Sequence, residues 1–386
     1  MKVLVVAEYY PRVEDPTLGI WAHRQALAAR DAGASVQVLV LHRPVPPLAA
    51  ARHGDFGAAA AQLRQPATTV LDGLAVRYLR YLSPPRPWSY ATWGAWAAPW
   101  LRRALQRVRA EFPFNLVHAH YAVPAGDAVR RATVRAPLVI SVHGGDVLGA
   151  HAGAASVRRT LGHARLVLAN SAGIARRCLA RGALRTQVLH LGTDLPERVT
   201  PPPATPTLVT VGNLIARKRH AEVIRAVARL RDRWPALRYE IVGDGPERGA
   251  LIALAAEQGV ADRVRFRGRL DHDEAVAVAR CATLFVMPSV AEAFGVAYVE
   301  AMAAGVPAIG CRGEDGPEEI AAAGGGMQLV RPGGRAELAE AIDVLLSDEG
   351  RLAQRRAAAR QTVATSFTWQ RCGQETVRAY EEALRG

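Results

Sequence analysis

A chain of 386 residues, 50% of them hydrophobic, can bury more than one core. Its four cysteines (Cys178, Cys281, Cys311, Cys372) stand singly, with no CxxC pair and no Cys/His cluster. That spacing points to a reducing compartment and away from a structural zinc site. The formal charge of +14 is unevenly placed: residues 1–195 hold 24 Lys/Arg against 10 Asp/Glu, and residues 196–386 hold 25 against 25. A basic half predicts an anionic partner such as acidic lipid, a phosphorylated substrate or nucleic acid, the other reading being an Arg-rich solvated surface.

In chain order, the apolar run Val3 to Ala7 is too short for a signal sequence. No run of about 18 apolar residues follows, so the expectation is a cytoplasmic chain without a membrane span. KVLVVAE reads as a buried strand. A helical pattern from Ile20 to Ala32, ended by Gly33, leads into a second strand, SVQVLVL. Strands apolar throughout, alternating with helices, predict a parallel sheet covered on both faces. Next comes PRPWSYATWGAWAAPWLRRALQRVRAEF (85–112), with four of the seven tryptophans: Trp88, Trp93, Trp96 and Trp100. The last three follow helical spacing, and Arg102, Arg103, Arg107 and Arg109 come after them. The composition fits an interfacial helix on acidic membrane or a Trp stripe packed against the first sheet. Further strands follow in FNLVHAH (114–120), PLVISVHG (137–144), ARLVLANS (164–171) and TQVLHLG (186–192).

PERVTPPPATPT (196–207), with five prolines in twelve residues, reads as a linker. The rhythm then restarts: TLVTVG, a helix over 219–233, LRYEIVGDG, a helix over 246–258, VRFRG, a helix over 272–281, ATLFVMPS, a helix near 295–304, and PAIGC. The expected organisation is an α/β fold of two doubly wound Rossmann-like domains, over 1–195 and 208–365. A closing helix over 366–386 is expected to cross back to the first. Ligands in such sheets bind beyond the carboxyl ends of the strands, which places the expected site in a cleft between the domains.

Two motifs carry the chemistry. Only two of the 49 basic residues are lysines, Lys2 and Lys218, and Lys218 stands in VGNLIARKRH (211–220), a strand-to-helix turn. Loop amides and cations there meet where helix dipoles favour an anion, although no GxxxxGK[ST] loop is present. An ammonium can enter a small pocket as a point charge where a planar guanidinium cannot. In PSVAEAFGVAYVEAMAAGVPAIG (288–310), seven residues separate Glu292 from Glu300. A largely helical segment would set them about 12 Å apart, addressing the two ends of one elongated ligand. Glu300 lies among Val299, Ala301, Met302 and Ala303, an apolar stretch in which an unpaired carboxylate is costly.

With these motifs in place, the chain resembles the family-4 retaining glycosyltransferases of the GT-B fold, of the bacterial polysaccharide and cell-envelope type, over nearly its whole length. Glu292 and Glu300 match the family's E-x7-E element, and Val211, Gly212, Leu214 and Lys218 match its VG-x-L-x3-K element. LVHAHYAVPAG (116–126), VGDGPER (242–248), RFRGRL (265–270) and the closing FTW helix are similar too. The resemblance implies that Arg217 and Lys218 bind the donor's diphosphate, Glu300 its ribose, and backbone near Leu270 its base. Glu292 and His143 are implied near the transferred sugar, with amides at Phe294 and Gly295 on donor phosphate or sugar. Two positions depart from the family pattern. Asn213 stands where an arginine is common, Arg217 being the expected substitute, and Leu18-Gly19 stands where Gly-Gly approaches donor phosphate.

In the first half, SVHGGD (141–146) ends a strand with His143 and Asp146. His118 and His120 also lie at a strand end and read as structural or acceptor-side residues. Asp271 and Asp273 form a D-x-D, which at a helix start reads as an N-cap with an acidic first turn rather than a metal site. VGDGPERG does not complete GxGxxG, which argues against a nicotinamide dehydrogenase. The expectation is a metal-independent retaining glycosyltransferase with no cofactor. Its partners would be a UDP- or GDP-sugar, a saccharide or lipid-linked acceptor, and acidic membrane at its periphery, with no nucleic acid. The alternatives are a nucleotide-sugar epimerase or hydrolase of the same fold, revealed by acceptor-independent product, and a non-catalytic anionic-glycan binder. The last would show salt-dependent binding indifferent to Glu300 and Lys218.

Overall fold

The protein is described by a computed structural model over residues 1–44, 63–84, 89–149 and 151–385; Trp88 lies outside these. The chain divides into two compact units, Met1–Leu191 with Trp369–Gly386, and Gly192–Thr368.

Unit 1 runs β1 (Lys2–Ala7), α1 (Ile20–Asp31), β2 (Ser35–His42), β3 (Thr68–Leu71), β4 (Leu74–Arg80), α2 (Trp93–Glu111), β5 (Leu116–His120), α3 (Asp127–Arg131), β6 (Leu138–Val142), α4 (Gly145–Leu148), α5 (Ala155–His163), β7 (Leu166–Ala169), α6 (Ala172–Leu179) and β8 (Thr186–Val188). Its sheet has the order β3-β4-β2-β1-β5-β6-β7-β8, with β3–β4 the antiparallel pair. β5 and β6 are buried at every residue, as strands covered on both faces must be. The β3–β4 hairpin was not expected. Its turn is Asp72-Gly73, both at positive φ, the conformation that lets a two-residue turn follow strand twist.

Unit 2 runs β9 (Thr207–Val211), α7 (His220–Leu230), β10 (Arg238–Val242), α8 (Arg248–Glu257), β11 (Val264–Gly268), α9 (His272–Arg280), β12 (Leu284–Val286), α10 (Val296–Ala303), β13 (Ala308–Cys311), α11 (Asp315–Ala323), β14 (Met327–Val330), α12 (Arg335–Ser347) and α13 (Glu349–Ser366). Its sheet, β11-β10-β9-β12-β13-β14, is parallel throughout. The closing helix, α14 (Trp369–Arg385), packs on α1 in unit 1 and joins its core with Cys372, Ala379, Tyr380 and Ala383.

The Pro-rich 196–207 stretch, expected as a linker, belongs to unit 2, and the unit boundary falls at Leu191/Gly192 rather than after residue 195. Prolines lack N–H donors, but the carbonyls of such a segment still need partners. Arginines supply them: Arg360 Nη2 donates to Pro196 O (2.9 Å), Arg356 Nη2 to Thr200 O (2.8 Å) and Arg280 Nη2 to Asp194 O (2.6 Å).

Candidate active site

Strand order reverses in unit 2 between β9 and β12, so the loops beyond their carboxyl ends flank a topological switch point. The β9 loop carries Arg217 and Lys218 in a 3₁₀ turn, Ala216–Lys218. It is held against the neighbouring VGDG loop: Leu214 N donates to Asp244 O (3.0 Å) and Glu247 N to Leu214 O (3.1 Å). A Cβ on Gly243 would lie 2.1 Å from Gly212 O, so the close approach of these loops requires glycine. Beyond β12, the chain returns Glu292 to the β9 loop. Lys218 Nζ lies 2.5 Å from Glu292 Oε2 and 3.5 Å from Met287 Sδ, and Arg217 Nη1 lies 3.5 Å from the same carboxylate oxygen. Ser289 Oγ donates to Glu292 Oε2 at 2.9 Å, and Val290 N donates to Arg217 O at 2.8 Å.

Both ends of the ion pair are buried, Lys218 at 9% and Glu292 at 8% exposure. Burial alone would raise the Glu292 carboxyl. The charge and hydrogen bond of Lys218, with Arg217 and Ser289 behind them, reverse this and hold it below the ordinary glutamate value. Glu292 therefore stays ionised. Two cations face this carboxylate ahead of the N-terminus of α10, whose N-cap is Gly295 at φ 88°. A Cβ there would meet the Tyr298 ring at 2.4 Å, so this helix start admits only glycine.

The helix expected near 295–304 is α10, Val296–Ala303; ahead of it, positive φ at Ala291 and Gly295 keeps the chain in a loop, so the Glu292–Glu300 segment is helical only from Val296. Glu292 is thus a loop residue turned to Lys218, while Glu300 is on the helix, its Oε1 3.8 Å from His272 Nε2. Phe294 is 1% exposed, with its ring against Phe367. Leu270 is half-buried immediately before the N-cap of α9, and Asn213 is exposed, its carbonyl 3.3 Å from His220 Nε2. Ser289, Met287 and Glu314, whose Oε2 accepts from Glu292 N at 2.9 Å, complete the cluster and were not singled out from sequence. The Pro-Ser pair ahead of Glu292 was the available signal for Ser289.

In unit 1 the strand order reverses between β1 and β5. His118 and His120 lie on β5, and His143 directly follows β6. His118 Nδ1 pairs with Tyr380 Oη (2.7 Å) and Nε2 with Ser141 Oγ (2.8 Å), which makes it a satisfied core residue. His120 Nδ1 lies 3.0 Å from His143 Nε2, with the two rings parallel. Burial drives all three rings toward neutrality, His118 and His143 down to about 3 and His120 well below its ordinary value. Asp146 is fully buried; its Oδ1 accepts from Ala122 N (3.1 Å) and Val123 N (3.4 Å), and burial raises its carboxyl to about 7. His143 Nδ1, His120 Nε2 and Asp146 Oδ2 are buried and have no partner among the described residues. Gly19, at φ 65°, caps α1; a Cβ would lie 2.1 Å from Tyr9 O, so this turn is closed to other residues. Tyr9, Tyr121 and Trp21, which sequence did not single out, line this region: Tyr9 packs against Tyr121 at a tilt, and Tyr121 and Trp21 each approach the His143 ring.

Two doubly wound α/β units, each with polar or charged side chains at its switch point, make a two-unit Rossmann-like architecture. The chain matches the profile described as Glycosyltransferase Family 4 over residues 18–197 and that described as Glycosyl transferases group 1 over residues 193–362. It is 31% identical over 326 residues to a D-inositol 3-phosphate glycosyltransferase of Nocardia farcinica, covering 74% of this chain and 71% of that protein. It is 33% identical over 179 residues to a 2-deoxystreptamine glucosyltransferase of Streptomyces kanamyceticus, a match spanning 46% of each chain, so less than half of that relative's length. Among solved structures it is similar to sucrose-phosphate synthase from Thermosynechococcus elongatus, with TM-score 0.78 at 20% identity over 100% and 99% of the two chains. An Anabaena protein in complex with UDP and glucose gives TM-score 0.74 at 20% identity over 99% of each. The chain belongs to glycosyltransferase family 4, with the GT-B fold.

Proposed function

We propose that this protein transfers a glycosyl group from a UDP- or GDP-linked sugar to a saccharide or lipid-linked acceptor, with retention of configuration and without a metal, in polysaccharide or cell-envelope glycan synthesis. The observation that carries this reading is the Lys218–Glu292–Arg217 cluster at the switch point of unit 2, which sets two cations beside a glycine-capped helix start. Lys218 and Arg217 neutralise the donor diphosphate, Gly295 and Phe294 offer backbone amides, Glu300 holds the ribose, and backbone at Leu270 receives the base. Asn213 contributes no charge, so the cationic work falls to the far end of its loop. Glu292 holds the ammonium in place and lies next to the sugar. Unit 1 supplies the acceptor side and the sugar hydroxyl contacts: the neutral His143 ring, positioned by His120, with Asp146, while His118 is the support behind them and Gly19 lets backbone approach donor phosphate.

In the reaction the bond between the anomeric carbon and the diphosphate oxygen breaks, and the acceptor oxygen bonds to the same face of that carbon. The acceptor's proton passes to the departing diphosphate oxygen. Fixed cations on that leaving group are the main source of transition-state stabilisation. K218A is expected to lower turnover by roughly 10²–10³-fold with the melting temperature showing that unit 2 remains folded. K218R is expected to recover little, because a guanidinium does not fit the slot between Gly212, Met287 and Glu292. The assay is radiolabelled transfer from a panel of nucleoside-diphosphate sugars. Near-normal transfer by K218A would defeat the assignment, and release of free sugar or epimer without acceptor would reassign the reaction.

A further inference from the structure

We propose that the exposed face of α2 is a docking surface for anionic phospholipid membrane. This goes beyond the glycosyl-transfer reading and does not rest on it. Within α2 the Trp-rich segment divides its tryptophans between two faces. Trp93 is 1% exposed and belongs to the interior, along with Ala97, Leu101, Leu105 and Val108. Trp96 and Trp100 are each 47% exposed on the other side of the helix. At 3.6 residues per turn, Trp96, Trp100, Arg103 and Arg107 fall within an arc of about 60°, along about 16 Å of helix. An amphipathic indole pair followed by arginines on one convex face is the arrangement that lies in a headgroup layer, rings at the apolar boundary and guanidinium groups at phosphate level.

The charges on this face are available. The acid of α2, Glu111, is ion-paired with Arg77. Arg102 is engaged with Arg131 O and Arg109 lies over the Phe114 ring, whereas Arg103 and Arg107 are exposed and have no partner among the described residues. Arg109 also donates to Arg135 O, adding the exposed Arg135 to the same end of the helix. The complement to two exposed indoles and unpaired arginines is a surface that is both anionic and apolar beneath. That fits a bilayer better than a nucleic-acid strand, which basic grooves grip.

The test is sedimentation of the full chain with vesicles of phosphatidylcholine alone or with about one-third phosphatidylglycerol. Wild type should bind the anionic vesicles at least about tenfold more tightly, and brominated lipid should quench its tryptophan emission. R103E/R107E should remove the anionic preference, roughly fivefold per charge, and W96S/W100S should weaken binding to both vesicle types. Melting curves separate these effects from misfolding, and quenching of wild type reads insertion without any variant. Absence of quenching would overturn the proposal, as would equal affinity for both vesicles. So would retention by duplex DNA or polyphosphate that exceeds vesicle binding and ignores W96S/W100S, which would give the patch to a soluble polyanion.

Discussion

At the residue scale, burial sorts the charged groups by what stands next to them. Glu292 remains ionised because Lys218 faces it, while Asp146, with two backbone donors and no cation, is pushed to about 7. That displacement makes stability depend on pH in a direction that can be checked. Unfolded, an aspartate titrates near about 3.9. Between that value and about 7 the folded state binds more protons at Asp146, so its contribution is fully present below pH ~4 and is lost as pH rises through 7. His118 and His143, lowered to about 3, act in the opposite sense: the unfolded chain takes their protons below about 6.5, and stability is lost as pH falls toward 3. D146N keeps an acceptor for Ala122 N and Val123 N but cannot ionise. Its melting temperature should therefore climb more steeply than that of wild type between pH ~4 and ~7. Parallel profiles would show that Asp146 is ionised in the folded protein.

At the element scale, the strands were legible where they are apolar throughout, since such runs are short, bounded by turns and buried on both faces. The β3–β4 hairpin escaped because β3 is half-exposed along its length and shows no unbroken apolar run. The helix near 295–304 was legible from its apolar small-residue run, but the turn that holds Glu292 ahead of it was not. That turn is set by backbone conformation at Ala291 and Gly295, which composition does not display. The D-x-D was read correctly from position: Asp271 Oδ1 accepts from Glu274 N at 2.8 Å, and Glu274 Oε2 accepts from Asp271 N at 3.3 Å, a complete capping box. D271A should then cost about 1 kcal/mol. That corresponds to a fall of about 2–4 °C in the melting temperature of a unit this size. Transfer should persist, and a chelator should leave it unchanged. Loss of transfer at an unchanged melting temperature, restored by added divalent metal, would make the motif a metal site instead.

At the scale of the whole molecule, two alternating α/β halves and a closing helix that returns to the first were legible in the sequence, whereas the boundary at Leu191/Gly192 was not, because it is decided by contacts remote in sequence. α14 follows unit 2 along the chain and yet completes unit 1. Gly373 lies so close to α1 that a Cβ would sit 2.1 Å from Ala28 O, and Tyr380, fully buried, reaches His118 with its hydroxyl. A chain ending at Thr368 therefore strips apolar cover from α1 and leaves the Nδ1 side of His118 without its partner, while removing nothing from the core of unit 2. Hydrogen exchange should show protection falling in β1, β5 and α1 and holding in β9 to β14. G373A, which forces the helices apart without deleting either, should produce the same pattern in weaker form, costing about 1–3 kcal/mol. Because unit 1 holds the histidine row, both changes should lower transfer while nucleoside-diphosphate binding, proposed for unit 2, survives. Protection lost in unit 2 while β1 and β5 stay protected would mean that α14 stabilises the unit it follows rather than the one it packs on.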